Sequence, residues 1–363
     1  MNLADLTFQS IRFLLLPFSL VYGGIIWLRN RLYDWGVLES TSFNLPMICI
    51  GNLSIGGTGK SPMVELLLEY FTPLFTTATL SRGYKRKTRG YVLANTLTTA
   101  LEIGDEPMVF HTKFSKAAVA VGESRVEAIP QLLQDRKDIQ VVILDDAFQH
   151  RAIKAGLNIL LTECANLYTG DFFLPTGDLR DEKKSAQRAD IIIVTKCPDQ
   201  LSIQEADKIR ASIRLLPHQH LFFTSILYGS PFHILDTNKL ISLDQRMELL
   251  LVTGIANAAP LEQYILERVF TYERMSFSDH HIFTIDDVNE IEDRFNRMHS
   301  NNKMILTTEK DAVRFIKFGN SLQHLPLYVI PIRHQFLFDK ENEFKHKVID
   351  FVQHFSHHTS SPH

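Results

Sequence analysis

The segment from Met47 to Glu65 constrains this chain more than any other. Met47-Ile48-Cys49-Ile50 is an apolar run that reads as a buried strand, and the glycine-rich stretch Gly51-Asn52-Leu53-Ser54-Ile55-Gly56-Gly57-Thr58-Gly59 follows it. Lys60-Ser61-Pro62 then opens a segment with apolar residues at Leu66, Leu67, Leu68 and Phe71, which reads as a helix. Strand, glycine loop and helix in that order make a phosphate-binding loop, whose inward-pointing N–H groups and helix dipole both favour an anion. Ser54, Ile55, Gly56, Gly57, Thr58, Gly59, Lys60 and Ser61 form the expected nucleotide-binding set. Lys60 reaches the β- and γ-phosphates, and the Ser61 hydroxyl ligates Mg²⁺. The strict pattern G-x-x-x-x-G-K-[ST] has glycine where this chain has Ser54, so the loop is a variant in which Gly56 and Gly57 supply the flexibility. An ordinary glycine-rich turn is the alternative, but strand and helix both stand where a phosphate loop needs them.

A chain of 363 residues is long enough for two domains with cores. The formal net charge of −3 argues against a nucleic-acid binder working by bulk positive charge. Cys49, Cys164 and Cys197 are scattered without a C-x-x-C pair, which fits a reducing compartment and predicts neither disulfides nor zinc.

Between Arg12 and Arg29 the chain runs from Phe13 to Leu28 without a charge, short of the roughly 20 residues of a full span. Trp27, Tyr33 and Trp35 sit where interfacial aromatics belong, and Arg29 and Arg31 place positive charge toward the rest of the chain. The expectation is a membrane anchor, interfacial or spanning, with the following domains cytoplasmic; a hydrophobic helix buried on the domain is the alternative. No small-residue cleavage site follows, against a signal peptide.

Thr76 to Leu80, Ala117 to Gly122, Val141 to Leu144, Leu157 to Leu161 and Ile191 to Val194 read as further strands. The strand at Val141 ends in Asp145-Asp146, as a buried parallel strand does when it delivers a carboxylate to a nucleotide site; either acid holds Mg²⁺, directly or through water. Ser81-Arg82-Gly83-Tyr84-Lys85-Arg86-Lys87 is a cationic cluster that is either a solvated loop or a contact for an anionic substrate or headgroup. Thr195-Lys196-Cys197-Pro198-Asp199 lacks the asparagine of a guanine-reading N-K-x-D motif, so GTP is not inferred. Beyond a composition shift, Leu249 to Gly254, Met304 to Thr308 and Leu327 to Ile330 add strands, with a helix at Val288 to Met298. The loop Ser276 to Phe283 gathers Asp279, His280 and His281, either structural or facing the nucleotide. The βα alternation predicts an α/β fold: a P-loop NTPase-type parallel sheet with helices on both faces and a second, smaller α/β domain. The expected boundaries are a membrane-associated helix over 1–40, a P-loop core over 41–220, a linker over 221–232, the second domain over 233–356 and a frayed tail over 357–363.

Taken together, the phosphate loop with Ser81-Arg82-Gly83-Tyr84, Gly104-Asp105-Glu106-Pro107, Asp145-Asp146-Ala147-Phe148-Gln149-His150, Leu179-Arg180, Asp279-His280-His281 and Thr308-Glu309-Lys310-Asp311 resembles the tetraacyldisaccharide 4′-kinases, which phosphorylate the lipid A precursor. The family shares the serine at Ser54, while Ala147 replaces a more usual glycine. The resemblance implies transfer of the ATP γ-phosphoryl group to the 4′-hydroxyl of an acylated glucosamine disaccharide 1-phosphate at the cytoplasmic face of the inner membrane. It implies ATP and Mg²⁺ as cofactors, inner-membrane lipids as surroundings, and no nucleic acid or obligate protein partner. By the same resemblance Asp105 is the base for the acceptor hydroxyl and His280 its partner; an ordinary carboxylate is a weak base, so neighbouring acids and phosphates are expected to raise the Asp105 pKa, with the pair brought together when two domains close. Lys60 and Ser61 serve ATP and Mg²⁺, Asp145 and Asp146 are the metal-site acids, and Arg125 and Arg180 are phosphate-contacting arginines. The competing class is a membrane-anchored nucleotide switch or maturation ATPase, whose slow hydrolysis responds to a protein and not to a lipid.

Overall fold

The structure is a computed structural model that describes residue 12 and residues 14–355, so the start of the uncharged N-terminal run and the 357–363 tail lie outside the described residues. The strands are β1 (Met47–Asn52), β2 (Thr77–Ser81), β3 (Val92–Leu93), β4 (Ala118–Val121), β5 (Val141–Asp145), β6 (Leu157–Glu163), β7 (Ile191–Thr195), β8 (His220–Tyr228), β9 (Phe232–His233), β10 (Asp236–Leu240), β11 (Glu248–Thr253), β12 (Thr271–Ser276), β13 (Lys303–Thr308), β14 (Leu327–Ile330) and β15 (Ile332–Phe336). The helices are α1 (Leu16–Asp34), α2 (Lys60–Phe71), α3 (Ala100–Ile103), α4 (Asp105–Lys113), α5 (Arg125–Asp135), α6 (Ile203–Ile213), α7 (Ala259–Leu266), α8 (Ile285–Arg297), α9 (Glu309–Phe315) and α10 (Glu341–Gln353).

The first sheet runs β15-β8-β7-β6-β1-β5-β2-β4-β3. All its pairings are parallel except the two edges, where β15 and β3 run antiparallel to their neighbours. Parallel strands buried on both faces need helices above and below. The side chains of β1 alternate accordingly, Cys49 joining one apolar cluster and Ile48 and Ile50 the other. The loop after β1 therefore opens between β5 and β6, at the C-terminal edge where α/β proteins bind ligands. The second sheet runs β10-β9-β14-β13-β11-β12, with a parallel core and its own cluster on each face.

Two expected boundaries are corrected. The 221–232 linker is mostly β8, paired in parallel with β7, and Phe222 and Phe223 alternate into opposite clusters of the first sheet. The second unit also ends early: after β14 the chain returns to the first sheet as β15 and α10, so 332–353 packs with the core domain. Aromatic packing holds the return, since the Phe336 and Phe344 rings lie 4.8 Å apart and both contact Phe222. No local signal in the sequence reports a pairing across about 110 residues, because the period of β15 says only that it is a strand.

The N-terminal run forms α1, and no helix among the described residues is long and apolar enough to cross a membrane. The alternative of a hydrophobic helix buried on the domain is not what α1 shows either, because Phe18, Leu20, Val21, Ile25, Trp27 and Leu28 are exposed.

Candidate active site

Gly56 and Gly59 adopt φ of +110° and +87°, the left-handed region that favours glycine, whereas Ser54 does not enter it. That explains why a serine serves at the start of the loop. Ser54 instead bridges Leu179, Ile55 N–H donates to the Asp178 carbonyl (2.7 Å) and Arg180 N–H to the Leu53 carbonyl (2.8 Å), so the 174–182 loop walls one side of the phosphate loop.

A residue that sequence reasoning missed supports the loop from below. His334 on β15 is fully buried; its Nε2 lies 2.8 Å from the Gly59 carbonyl and its Nδ1 3.0 Å from the Thr224 hydroxyl. A carbonyl only accepts, so Nε2 carries the proton and Nδ1 accepts from Thr224. A Cβ at Gly59 would stand 2.9 Å from the His334 ring, so glycine is required for space as well as for φ. Burial pushes the imidazole down to about 4, against a weaker upward pull from the Gly59 carbonyl. As pH falls below about 6.5 the unfolded chain takes up a proton that the folded chain refuses, so stability present above that pH is lost toward pH 4, by up to about 3 kcal/mol. Urea titrations should show this loss, and His334→Gln, which keeps a donor and an acceptor but does not titrate, should flatten it; identical pH slopes in both proteins would refute the assignment.

Asp145 and Asp146 end β5 beside the loop. Burial and then the neighbouring Asp146 push Asp145 up to about 7, and its Oδ1 is buried without a hydrogen-bond partner. Asp146 turns out in the left-handed region at φ +47°. Burial opposes its charge, but Lys60 and Arg180 together hold its carboxyl below the usual range. Arg180 grips Asp146 with both terminal nitrogens and donates to Asn52 Oδ1 at 2.5 Å, while Lys60 Nζ lies 3.8 Å from Asp146 and 3.4 Å from Asn52 Oδ1. Asn52 was not singled out from the sequence, and its signal was weak: one polar residue closing an apolar strand. Ser61, Asp145 and Asp146 offer oxygens only, the donor set of a hard divalent cation, and an orphaned buried carboxylate oxygen is what such an ion satisfies. Arg125, expected at the phosphates, is 3% exposed and donates to the carbonyls of Gly122, Glu123 and Asp145 at 3.3–3.4 Å. It fixes the turns that carry the acids.

Asp105 and His280 meet although they come from different sheets. His280 stands in a left-handed turn at φ +63°, and its Nδ1 lies 2.6 Å from Asp105 Oδ2. Two basic residues of α9 complete the arrangement, neither of them anticipated as such. Arg314 donates to the same Oδ2 at 2.7 Å, and Lys310 Nζ lies 3.1 Å from His280 Nε2. An ammonium only donates, so Nε2 accepts and Nδ1 carries the proton given to Asp105. Asp105 Oδ1 remains uncommitted among the described residues. The expected raised pKa is corrected: burial alone pushes the Asp105 carboxyl up, but the hydrogen bonds from His280 and Arg314 outweigh it and hold it below its usual value. The neighbouring Glu106 is close enough to Lys60 and Asp145 to shift both, which puts α4 at the phosphate loop. Asp105, Glu106 and His280 could together hold a metal by spacing, but Lys310 and Arg314 already sit against them as cations. The cationic loop stands over this pair: the Tyr84 ring meets His280 edge-on at 5.3 Å.

A phosphate loop at a sheet's C-terminal edge, two acids beside its lysine and a carboxylate–imidazole pair joining the two sheet units define the class of P-loop phosphotransferases. Within that class, the chain belongs to the tetraacyldisaccharide-1-P 4′-kinase family, whose profile matches residues 11–353. It is 41% identical over 362 residues to a tetraacyldisaccharide 4′-kinase of Bacteroides thetaiotaomicron, covering 96% of this chain and 95% of that protein. It is 43% identical over 332 residues to the enzyme of that name from Flavobacterium johnsoniae, covering 91% and 95%. The fold matches the crystal structure of LpxK from Aquifex aeolicus in complex with ATP with a TM-score of 0.73 and 26% identity, over 94% of this chain and 99% of that one.

Proposed function

We propose that this chain transfers the γ-phosphoryl group of ATP to the 4′-hydroxyl of a tetraacylated glucosamine disaccharide 1-phosphate, at the cytoplasmic face of the bacterial inner membrane. The observation that carries the reading is the Asp105–His280 pair, which adjoins Glu106, whose charge reaches the P-loop lysine, and has no use in a simple nucleotide switch. The acceptor hydroxyl loses its proton to the free Oδ1 of Asp105 as its oxygen bonds to the γ-phosphorus, and the bond from that phosphorus to the bridging oxygen breaks to release ADP. Lys60 and Arg180 neutralise charge on the phosphates, with Arg180 leaving Asp146 for them. Mg²⁺, held by Ser61, Asp145 and Asp146, would supply further neutralisation of the phosphate oxygens.

The outward face of α1 supports a membrane location. Phe18, Val21 and Ile25 are 66%, 65% and 62% exposed along one stripe, apolar surface that a membrane interface would cover. Replacing all three with serine should abolish flotation with vesicles of phosphatidylethanolamine and phosphatidylglycerol; unchanged flotation would count against this placement. The function itself is tested with γ-labelled ATP and acylated disaccharide 1-phosphates. Label should pass to the 4′-position of the lipid with little hydrolysis in its absence, whereas hydrolysis without transfer would favour the switch reading.

A further inference from the structure

Helix α1 turns its small and polar side chains inward and its apolar ones outward, the reverse of a helix held to a domain by hydrophobic burial. Ser19 and Asn30 are 3% and 1% exposed, and a Cβ at Gly23 would stand 2.7 Å from the Phe173 ring. Hydrogen bonds hold it instead, and they converge on one place. Ser19 Oγ donates to Thr176 Oγ1 (2.7 Å) and accepts from the Thr176 N–H (3.0 Å). The Tyr22 hydroxyl donates to the Arg180 carbonyl (3.1 Å), and Asn30 Nδ2 to Asp181 Oδ1 (2.8 Å) and Glu182 Oε1 (2.9 Å). These bonds fall on either side of Arg180, the arginine that grips Asp146 and Asn52. A second strand of contacts runs from Arg29 to the Gln149 carbonyl (2.8 Å) and from Gln149 Nε2 to the Asn52 carbonyl (2.5 Å).

We propose that Tyr22 and Asn30 are positioning residues for nucleotide binding: the inner face of α1 braces the 176–182 loop and so holds the Arg180 guanidinium at the phosphate loop. The helix that meets the membrane is on this account a wall of the nucleotide site and not a detachable anchor. The proposal rests on the reading above only in taking ATP as the ligand.

Affinity for a fluorescent ATP analogue, measured on the full chain, is the readout, since it needs no lipid acceptor. Asn30→Leu keeps the volume and removes the amide's hydrogen bonds to Asp181, Glu182 and Ser185; it should weaken binding about tenfold. Tyr22→Phe keeps the ring against Phe173 and should weaken it about threefold, a smaller change that folds readily. Flotation should be unchanged in both, because the outward face is untouched. In an Arg180→Ala background Tyr22→Phe should cost nothing further, because Tyr22 acts through Arg180. Wild-type nucleotide affinity in both Asn30→Leu and Tyr22→Phe, even with a lowered melting temperature, would overturn the proposal, as would an undiminished Tyr22→Phe effect in the Arg180→Ala background. Absence of lipid phosphorylation would sink the kinase reading and leave this measurement standing.

Discussion

Lys60→Ala should lower phosphoryl transfer about 10³-fold or more with the fold intact. On the proposed function the ammonium neutralises charge that develops on the β- and γ-phosphates during transfer, in a water-poor site where each neutralising group counts for more than it does in bulk water. Burial pushes the Lys60 pKa down, partly offset by Asp146, so the native state works against this charge. Asp146 keeps Arg180 as a partner in the variant, so that carboxylate is not stranded. Circular dichroism should be unaltered while single-turnover transfer collapses. Activity within about threefold of wild type would remove Lys60 from the site.

Asp105→Ala should cost about 10² to 10⁴ in kcat with little change in ATP affinity, the usual range for loss of a general base. The carboxylate is held low by His280 and Arg314, so its contribution as a base comes from placement of Oδ1 and not from a tuned pKa. Transfer through a loose transition state asks little of the base until the new bond is well formed, which makes a weak, fixed carboxylate adequate. His280 acts only through Asp105 in this geometry, since its Nε2 is capped by Lys310. The Asp105→Ala, His280→Ala double variant should therefore be scarcely worse than Asp105→Ala alone. Fully multiplicative losses would show that the imidazole has an independent role and that its bond to Asp105 is incidental to the chemistry.

Local chemistry made much of this protein legible without coordinates. The strand, loop and helix from Met47 to Phe71 were readable because glycines, a lysine and an apolar period lie within one stretch, and β5 announced Asp145 and Asp146 by ending an apolar run in acids. Motif order along the chain was enough to reach the family. The return of 332–353 to the first sheet was not readable, and with it went His334, because a lone histidine in a short strand looks the same wherever that strand pairs. Arg314 and Lys310 were ordinary helix cations until α9 packed beside α4. The same holds for the pKa of Asp105, whose direction depends on which charges the fold brings within hydrogen-bonding distance.

The N-terminal helix marks the division most clearly. Its apolar composition was plain from Phe13 to Leu28, and composition alone determines that such a segment avoids water. Which of its faces meets the protein was decided by the tertiary structure, where Ser19, Tyr22 and Asn30 found polar partners around Arg180 and left the apolar side chains outside. Hydrophobic burial is non-directional and can be read from a sequence by counting, whereas hydrogen bonds exist only where donor and acceptor arrive at the right distance and angle, and that is a property of the folded chain.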